Sequence, residues 1–332
     1  MVDRRVQRAY EVRFGSDFTA FSPEAPPLTG VVDVHAHGHA GQQDPLAVGR
    51  LASRAGMGGI LWKTLGDPRA PWLAHRALTE ALARWAEQER VAPVACAFGL
   101  MTETPFGGPT LAWVREGVEQ GAAAVWLPVL TNVNSLMRVG APGRFLGRQG
   151  YLPPLTEAQA RAVGGITLQE NGRLRPEIVD IIHFLADRDV ALFFGHASPA
   201  EVLLLAEEVE RIGFRKAVVD HPFSPIIGLT VEELRQVAAA GVYVNWTYDE
   251  LSPLLGVDPQ DMVAAIEAIG PERCLLSSDS GDPVLPHSVE SMRLMVATMT
   301  YYGIPAAAVH QMAVENPSRI MGLPVPAQAR AG

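Results

Sequence analysis

Val31-Val32-Asp33-Val34-His35-Ala36-His37 is an apolar run that ends in two alternating histidines. Residues i and i+2 of a strand point to one face, so both imidazoles can meet a single metal ion where the strand ends, while Ala36 leaves room on the other face. The same alternation puts Asp33 on the histidine face but deeper, where a carboxylate needs hydrogen-bond partners, and we read it as structural. His39 continues the alternation, but Gly38 and Gly41 turn the chain away and make it a loop residue. A His-x-His pair is a weak signal by itself, because single histidines more often sit on the surface or in a satisfied core. Its weight comes from what recurs downstream.

Seven more β-rich runs follow, at 59–65, 91–98, 122–129, 190–195, 217–221, 241–246 and 274–278. Between them lie stretches with helical spacing, including 72–89, 176–188, 199–212, 231–240 and 259–269, several opening on Asp, Ser or Thr followed by Pro or Glu, the sign of a capped helix start. Eight strand–helix units in 332 residues predict an α/β fold, a (β/α)8 TIM barrel, with its active site at the carboxyl ends of the strands. An open doubly wound sheet is the runner-up, but no Gly-x-Gly-x-x-Gly turn follows the first strand. We divide the chain into an N-terminal arm (1–29), one barrel (30–323) and a short tail (324–332). The segment 131–175, rich in Gly and Pro, is long for a strand–helix connection and reads as a lid after strand four. It carries Arg138, Arg144, Arg148, Arg161, Arg173 and Arg175 against Glu157 and Glu170, six positive charges to two negative, in a chain of net charge −9. Arginine forks suit carboxylate or phosphate groups, so these residues either read an anionic substrate or are solvated loop side chains.

The net charge and the lack of a basic run exclude general nucleic-acid binding. No stretch of about 20 apolar residues offers a membrane span, and the charged start lacks a secretory core. Cys96 and Cys274 fall in apolar runs, which argues against a disulfide framework and for the cytoplasm. The expected partner is a small-molecule substrate, and a homo-oligomer is a further expectation.

Four of the nine histidines fall at strand ends: His35 and His37, His196 after 191–195, and His221 after 218–220. The eighth run ends in Asp279. A closed barrel brings these ends together, so four imidazoles and a carboxylate can share one metal site. His75, His183 and His310 lie in helical contexts, and His287 follows strand eight, near the site.

This order resembles the amidohydrolase superfamily of metal-dependent hydrolases, in which strand one carries His-x-His, strands five and six a histidine each, and strand eight an aspartate. The corresponding residues are His35, His37, His196, His221 and Asp279. The likeness runs from about residue 31 to 323 and includes the closing Glu315-Asn-Pro-Ser-Arg-Ile-Met-Gly-Leu323. Gly195-His-Ala-Ser-Pro-Ala-Glu201, Asp220-His-Pro222 and Gly172-Arg-Leu-Arg-Pro-Glu177 give a looser likeness to a poorly characterised branch of unknown function.

One departure concerns the bridging ligand. Many two-metal members carry a carboxylated lysine or a glutamate at the end of strand four, where this chain reads Val125-Trp-Leu-Pro-Val129. A lysine does end strand two. Lys63 and Lys216 are the only lysines beside 25 arginines, which suggests that position 63 needs an amine. Lys63 is read as a bridging carbamate, as an ammonium that binds substrate, or as a buried lysine paired with a carboxylate. Without a bridge, one ion held by His35, His37, His196 and Asp279 is the simpler site, with His221 contacting substrate.

The resemblance implies an enzyme, a metal-dependent hydrolase in which one or two divalent ions, zinc first with manganese or iron as alternatives, activate water to cleave an amide, lactone or other ester bond. Asp279 accepts and returns the proton, while His221 and Lys63 assist. Asn132, Arg138 and Arg144 from the lid and Asn245, Trp246 and Tyr248 after strand seven are the candidate substrate contacts. The alternatives are a metal-dependent decarboxylase on the same barrel and a non-catalytic barrel that binds metal or a small ligand.

Overall fold

The computed structural model describes residues 28–38, 43–140 and 154–324. Most of the arm, His39, Arg144, Arg148 and nearly all of the tail lie outside the described residues. Eight strands, β1 (Val32–Gly38), β2 (Gly59–Leu65), β3 (Ala95–Met101), β4 (Ala124–Trp126), β5 (Ala191–Phe193), β6 (Ala217–Asp220), β7 (Tyr243–Thr247) and β8 (Cys274–Ser277), form one parallel sheet in sequence order. The sheet curls into a nearly closed ring. Its seam is short: Ala36 bridges Ser280, Asp279 N donates to His35 O at 2.8 Å, and His37 N donates to Ser280 O at 2.9 Å. The two residues flanking the seam are therefore site residues.

Helices cover the outside, among them Pro45–Arg54, Pro71–Glu89, Leu111–Glu119, Pro176–Arg188, Pro199–Ile212, Val231–Ala239, Pro259–Ile269 and Ser288–Tyr301. Their starts follow the expected chemistry. Ser198 with Glu201 and Thr230 with Glu233 form capping boxes, and proline opens five of these eight helices. No helix among the described residues is long and apolar enough to cross a membrane.

Strand alternation sorts the buried side chains into two cores. Ile60, Trp62, Val125, Leu192, Phe194, Val219, Val244, Trp246 and Leu276 face the helices. Val32, Val34, Leu61, Ala124, Trp126, Phe193, Val218, Tyr243 and Leu275 fill the barrel. Trp126 stacks on Phe193 with ring centres 4.0 Å apart, and a side chain at Gly99 would stand 2.2 Å from that indole, so the glycine makes its space. Below, the helix Asn316–Met321 closes the amino-terminal end: Ile320 joins the inner core, and Asn316 Nδ2 donates to Pro271 O at 2.9 Å and Cys274 O at 2.8 Å.

The segment expected as a long lid contains regular structure in its described parts. Helices Val133–Val139 and Glu157–Ala162 and a small hairpin, Gln169–Glu170 with Arg173–Leu174, occupy it. Its glycines and prolines masked short helices whose starts are set by the caps Asn132 and Thr156.

Candidate metal centre

His35 and His37 reach the barrel mouth because β1 is irregular. Asp33 pairs with Ile60 and Ala36 with Trp62, three residues of β1 against two of β2. That extra residue inverts the alternation, so Val34 and His35 both face inward. It also overturns the expectation for Asp33, which lies on the opposite side from the ligand histidines. There Asp33 Oδ1 accepts from His35 N and Ser278 N, and Oδ2 accepts from the hydroxyls of Ser278 and Ser288 at 2.5 Å each. The carboxylate pins β1 to β8 and to the helix behind them, the structural role read from the sequence.

The other histidines also depend on broken alternation. Phe193 faces inward, so His196 would face outward in a regular strand, but Gly195 at φ +62° turns the chain. A side chain on Gly195 would lie 2.2 Å from Leu127 O. Val218 and Asp220 face inward, and His221 follows them at φ +31°. Asp279 has φ +49°. Left-handed backbone at two non-glycine residues is strained, and strain of this kind gathers at functional sites.

The side chains converge. His35 Nε2 lies 3.1 Å and His37 Nε2 2.9 Å from Asp279 Oδ1, and His221 Nε2 is 3.9 Å from Oδ2. Ring centres are 5.3 Å apart for His35 and His37, 5.9 Å for His35 and His221, and 5.2 Å for His196 and His221. Donor atoms of His35, His37 and Asp279 all lie within 4.8 Å of one another. These three residues form a group that could hold a metal ion.

Behind them stand residues that fix the imidazoles. Thr64 Oγ1 lies 3.1 Å from His37 Nδ1, and Ser135 Oγ lies 2.9 Å from His196 Nδ1. Asn134 Nδ2 donates to His196 O and Ile226 O, so the first turn of the segment read as a lid clamps His196. Asp220 Oδ1 is 3.2 Å from His35 Nδ1 and accepts from Asn245 Nδ2 at 2.8 Å, while Oδ2 accepts from Trp126 Nε1 at 2.8 Å. Second partners of this kind fix the ring orientation and tautomer of a metal-binding histidine.

Charge follows from burial and these contacts. Burial disfavours a cation at His35, but the charges of Asp279 and Asp220 outweigh it and raise the imidazole to about 9. Burial lowers His37 and His221 to about 4 and holds His196 well below the ordinary range. Although burial opposes it, His35 keeps Asp279 and Asp220 below the usual carboxylate range. Asp249, which accepts from Thr247 Oγ1, is pushed well up by burial and by the charge of Asp279.

The residues fit a metal on a separate observation. Both ring nitrogens of His35 and Nδ1 of His221 are buried without a well-formed hydrogen bond, the Asp contacts of His35 being short but poorly directed. Buried polar atoms left this way cost about 1–3 kcal/mol each, and a cation among the Nε2 atoms and Asp279 would satisfy His35 Nε2.

Other sequence candidates have different positions. Lys63 is buried at the mouth of the barrel, its charge acting on His35, His37, His196 and His221. Asn245 is fully buried beneath Asp220, and Trp246 packs among the helices with Phe223, so neither lines a pocket; the inward residue of β7 and the outward one were misjudged because the strand extends one residue further. Asn132 is a buried helix cap, Arg138 is exposed on that helix, and Tyr248 is half-buried. His287 caps Ser288–Tyr301 through Glu290 N, and His75, His183 and His310 contact Cys96 O, Glu208 and Glu315 away from the centre. Asp220, Asp249 and Ser135 were not singled out by sequence reasoning; for Asp220 the signal was its place beside His221.

Comparison with known proteins separates fold from chemistry. A family model described as a family of unknown function (DUF6282) matches residues 30–245. No curated protein matches the chain in sequence. Among solved structures, it is similar to an amidohydrolase from Pseudomonas aeruginosa, with 11% identity over 88% of this chain and 95% of that one at a TM-score of 0.57. It is also similar to dipeptidase AC, a metallopeptidase, with 12% identity, coverage of 90% and 100%, and a TM-score of 0.55. N-acetyl-D-glucosamine-6-phosphate deacetylase from Mycobacterium smegmatis gives 18% identity, coverage of 91% and 79%, and a TM-score of 0.51. The barrel fold is thus shared with amidohydrolase-type proteins.

Proposed function

Since the chain belongs to the DUF6282 family, whose description assigns no reaction, we propose from its own residues that it is a metal-dependent hydrolase of amide, lactone or other ester bonds in a small molecule. One observation carries the reading. Nε2 of His35 and of His37 point at the same oxygen of Asp279, while His35 keeps buried nitrogens without a well-formed hydrogen bond.

His35, His37 and Asp279 would hold the ion, with His196 and His221 at its border. Imidazole and carboxylate donors suit zinc first, and manganese or iron as alternatives. A zinc ion bound there supplies Lewis acidity, which brings the pKa of water towards 7 and polarises a carbonyl.

The chain's residues supply the rest. Asp279, kept ionised, takes the proton of the attacking water and returns it to the leaving group. His221 is neutral at neutral pH, so one ring nitrogen can donate to the substrate's carbonyl oxygen. Buried Trp126 and Phe193 floor the site, keeping bulk water out from below.

The test is a panel of lactones, esters and amides in ¹⁸O-labelled water. Acid products that carry one solvent oxygen, and loss of that activity in Asp279→Asn, are expected. Carbon dioxide release without label would replace hydrolysis with decarboxylation, and no turnover by a metal-loaded protein would leave a binding barrel.

A further inference from the structure

Lys63 makes no ion pair among the described residues. Its side chain is 3% exposed at the end of β2, inward like Leu61, and its neighbour Thr64 touches His37 Nδ1. Among the described residues, its ammonium makes neither a hydrogen bond nor an ion pair. Burying an amine costs free energy unless a partner satisfies it. No carboxylate among the described residues pairs with it at ion-pair distance, whereas the chain's other lysine, Lys216, lies 2.7 Å from Asp189.

An anion beside Lys63 satisfies the amine. A lysine does this as a compact point charge, where an arginine fork would demand two parallel acceptors.

We infer that Lys63 is the anion seat of this centre and that its substrates are small molecules bearing a carboxylate close to the bond that is cleaved. This deepens the hydrolase reading and rests on it for the cleavage step, but carboxylate binding itself can be measured without turnover.

The experiment titrates purified protein as isolated with sodium benzoate and with benzamide, its neutral counterpart, at constant ionic strength, by calorimetry and thermal shift. Wild type, Lys63→Met and Lys63→Gln are compared, with metal content measured on each. Benzoate should bind the wild type and raise its Tm, and benzamide should not. Both variants should keep the metal and bind benzoate at least about tenfold more weakly. Equal benzoate affinity in wild type and either variant, at equal metal content, would overturn the inference, since the metal alone would then hold the carboxylate. A ¹³C carbamate resonance from labelled bicarbonate that disappears in Lys63→Gln would overturn it as well. Lys63-dependent benzoate binding in a protein that takes up no metal would sustain the anion seat while removing the hydrolase reading.

Discussion

Replacing Asp220 with asparagine keeps the side chain's size and removes one acceptor. In the wild type the two carboxylate oxygens face three donors: Trp126 Nε1 and Asn245 Nδ2, both at 2.8 Å, and His35 Nδ1 at 3.2 Å. An asparagine amide turned either way sets its NH₂ group against one of those donors. Two effects follow. The broken buried network costs about 1–3 kcal/mol, which lowers Tm by a few degrees. His35 loses the group that orients its ring, and substitutions behind a metal-binding histidine weaken affinity about 10–100-fold, or roughly 1.4–2.7 kcal/mol. Proton competition works against this difference. His35 is raised to about 9 by Asp279 and Asp220, so below that pH a metal must displace its proton, and without Asp220 the proton is held less tightly. The affinity gap should therefore be widest above about pH 9 and narrower at pH 7. Competition with a chromophoric chelator at both pH values, with calorimetry in buffers of different ionisation enthalpy to count released protons, measures it. Equal affinity and equal proton release in wild type and Asp220→Asn would refute the role given to Asp220.

Three further outcomes follow from individual contacts. Gly195→Ala forces a side chain into Leu127 O at left-handed φ, so Tm should fall by the equivalent of at least about 1–3 kcal/mol and metal content should drop with it, read by thermal melts and elemental analysis. Asn316→Ala removes the side-chain bonds from the closing helix to Cys274 O of β8 and to Pro271 O just before it; a loss of about 1–3 kcal/mol in urea unfolding, with metal content per folded chain unchanged, is expected. Glu208 is held below its ordinary range first by Arg211 and also by His183, so its contribution is present above the unfolded pKa of about 4.3 and lost as pH falls through the lower folded value. Tm of wild type and Glu208→Gln should differ at pH 6 and converge on acidification; a constant gap from pH 6 to pH 3 would contradict this.

Much of the barrel was legible because its strands and helices obey simple periods. The run 59–65 and the helices 176–188, 199–212 and 259–269 coincide with observed elements; all three helices open on proline, and Ser198 and Asp258 cap the last two. The residues of the site were readable by type, but their directions were not. His35, His196 and His221 each face inward through a break in alternation: an extra residue in β1, a left-handed glycine, and a left-handed histidine. Strand periodicity carries no signal for such breaks, which is why Asp33 was assigned to the wrong face. Gly195 gave a hint, being the residue best able to take that conformation. Asp220 and Ser135 are long-range partners, 185 and 61 positions away from the imidazoles they touch, and no local pattern announces them.

Metal content per chain tests the central claim most directly. Protein purified without chelator and analysed for zinc, manganese and iron should hold about one or two equivalents, and the His35→Ala, His37→Ala double variant, still folded by circular dichroism, should hold almost none. No metal in the wild type after supplementation, or the same content in the double variant, would contradict the assignment of this cluster as a metal centre.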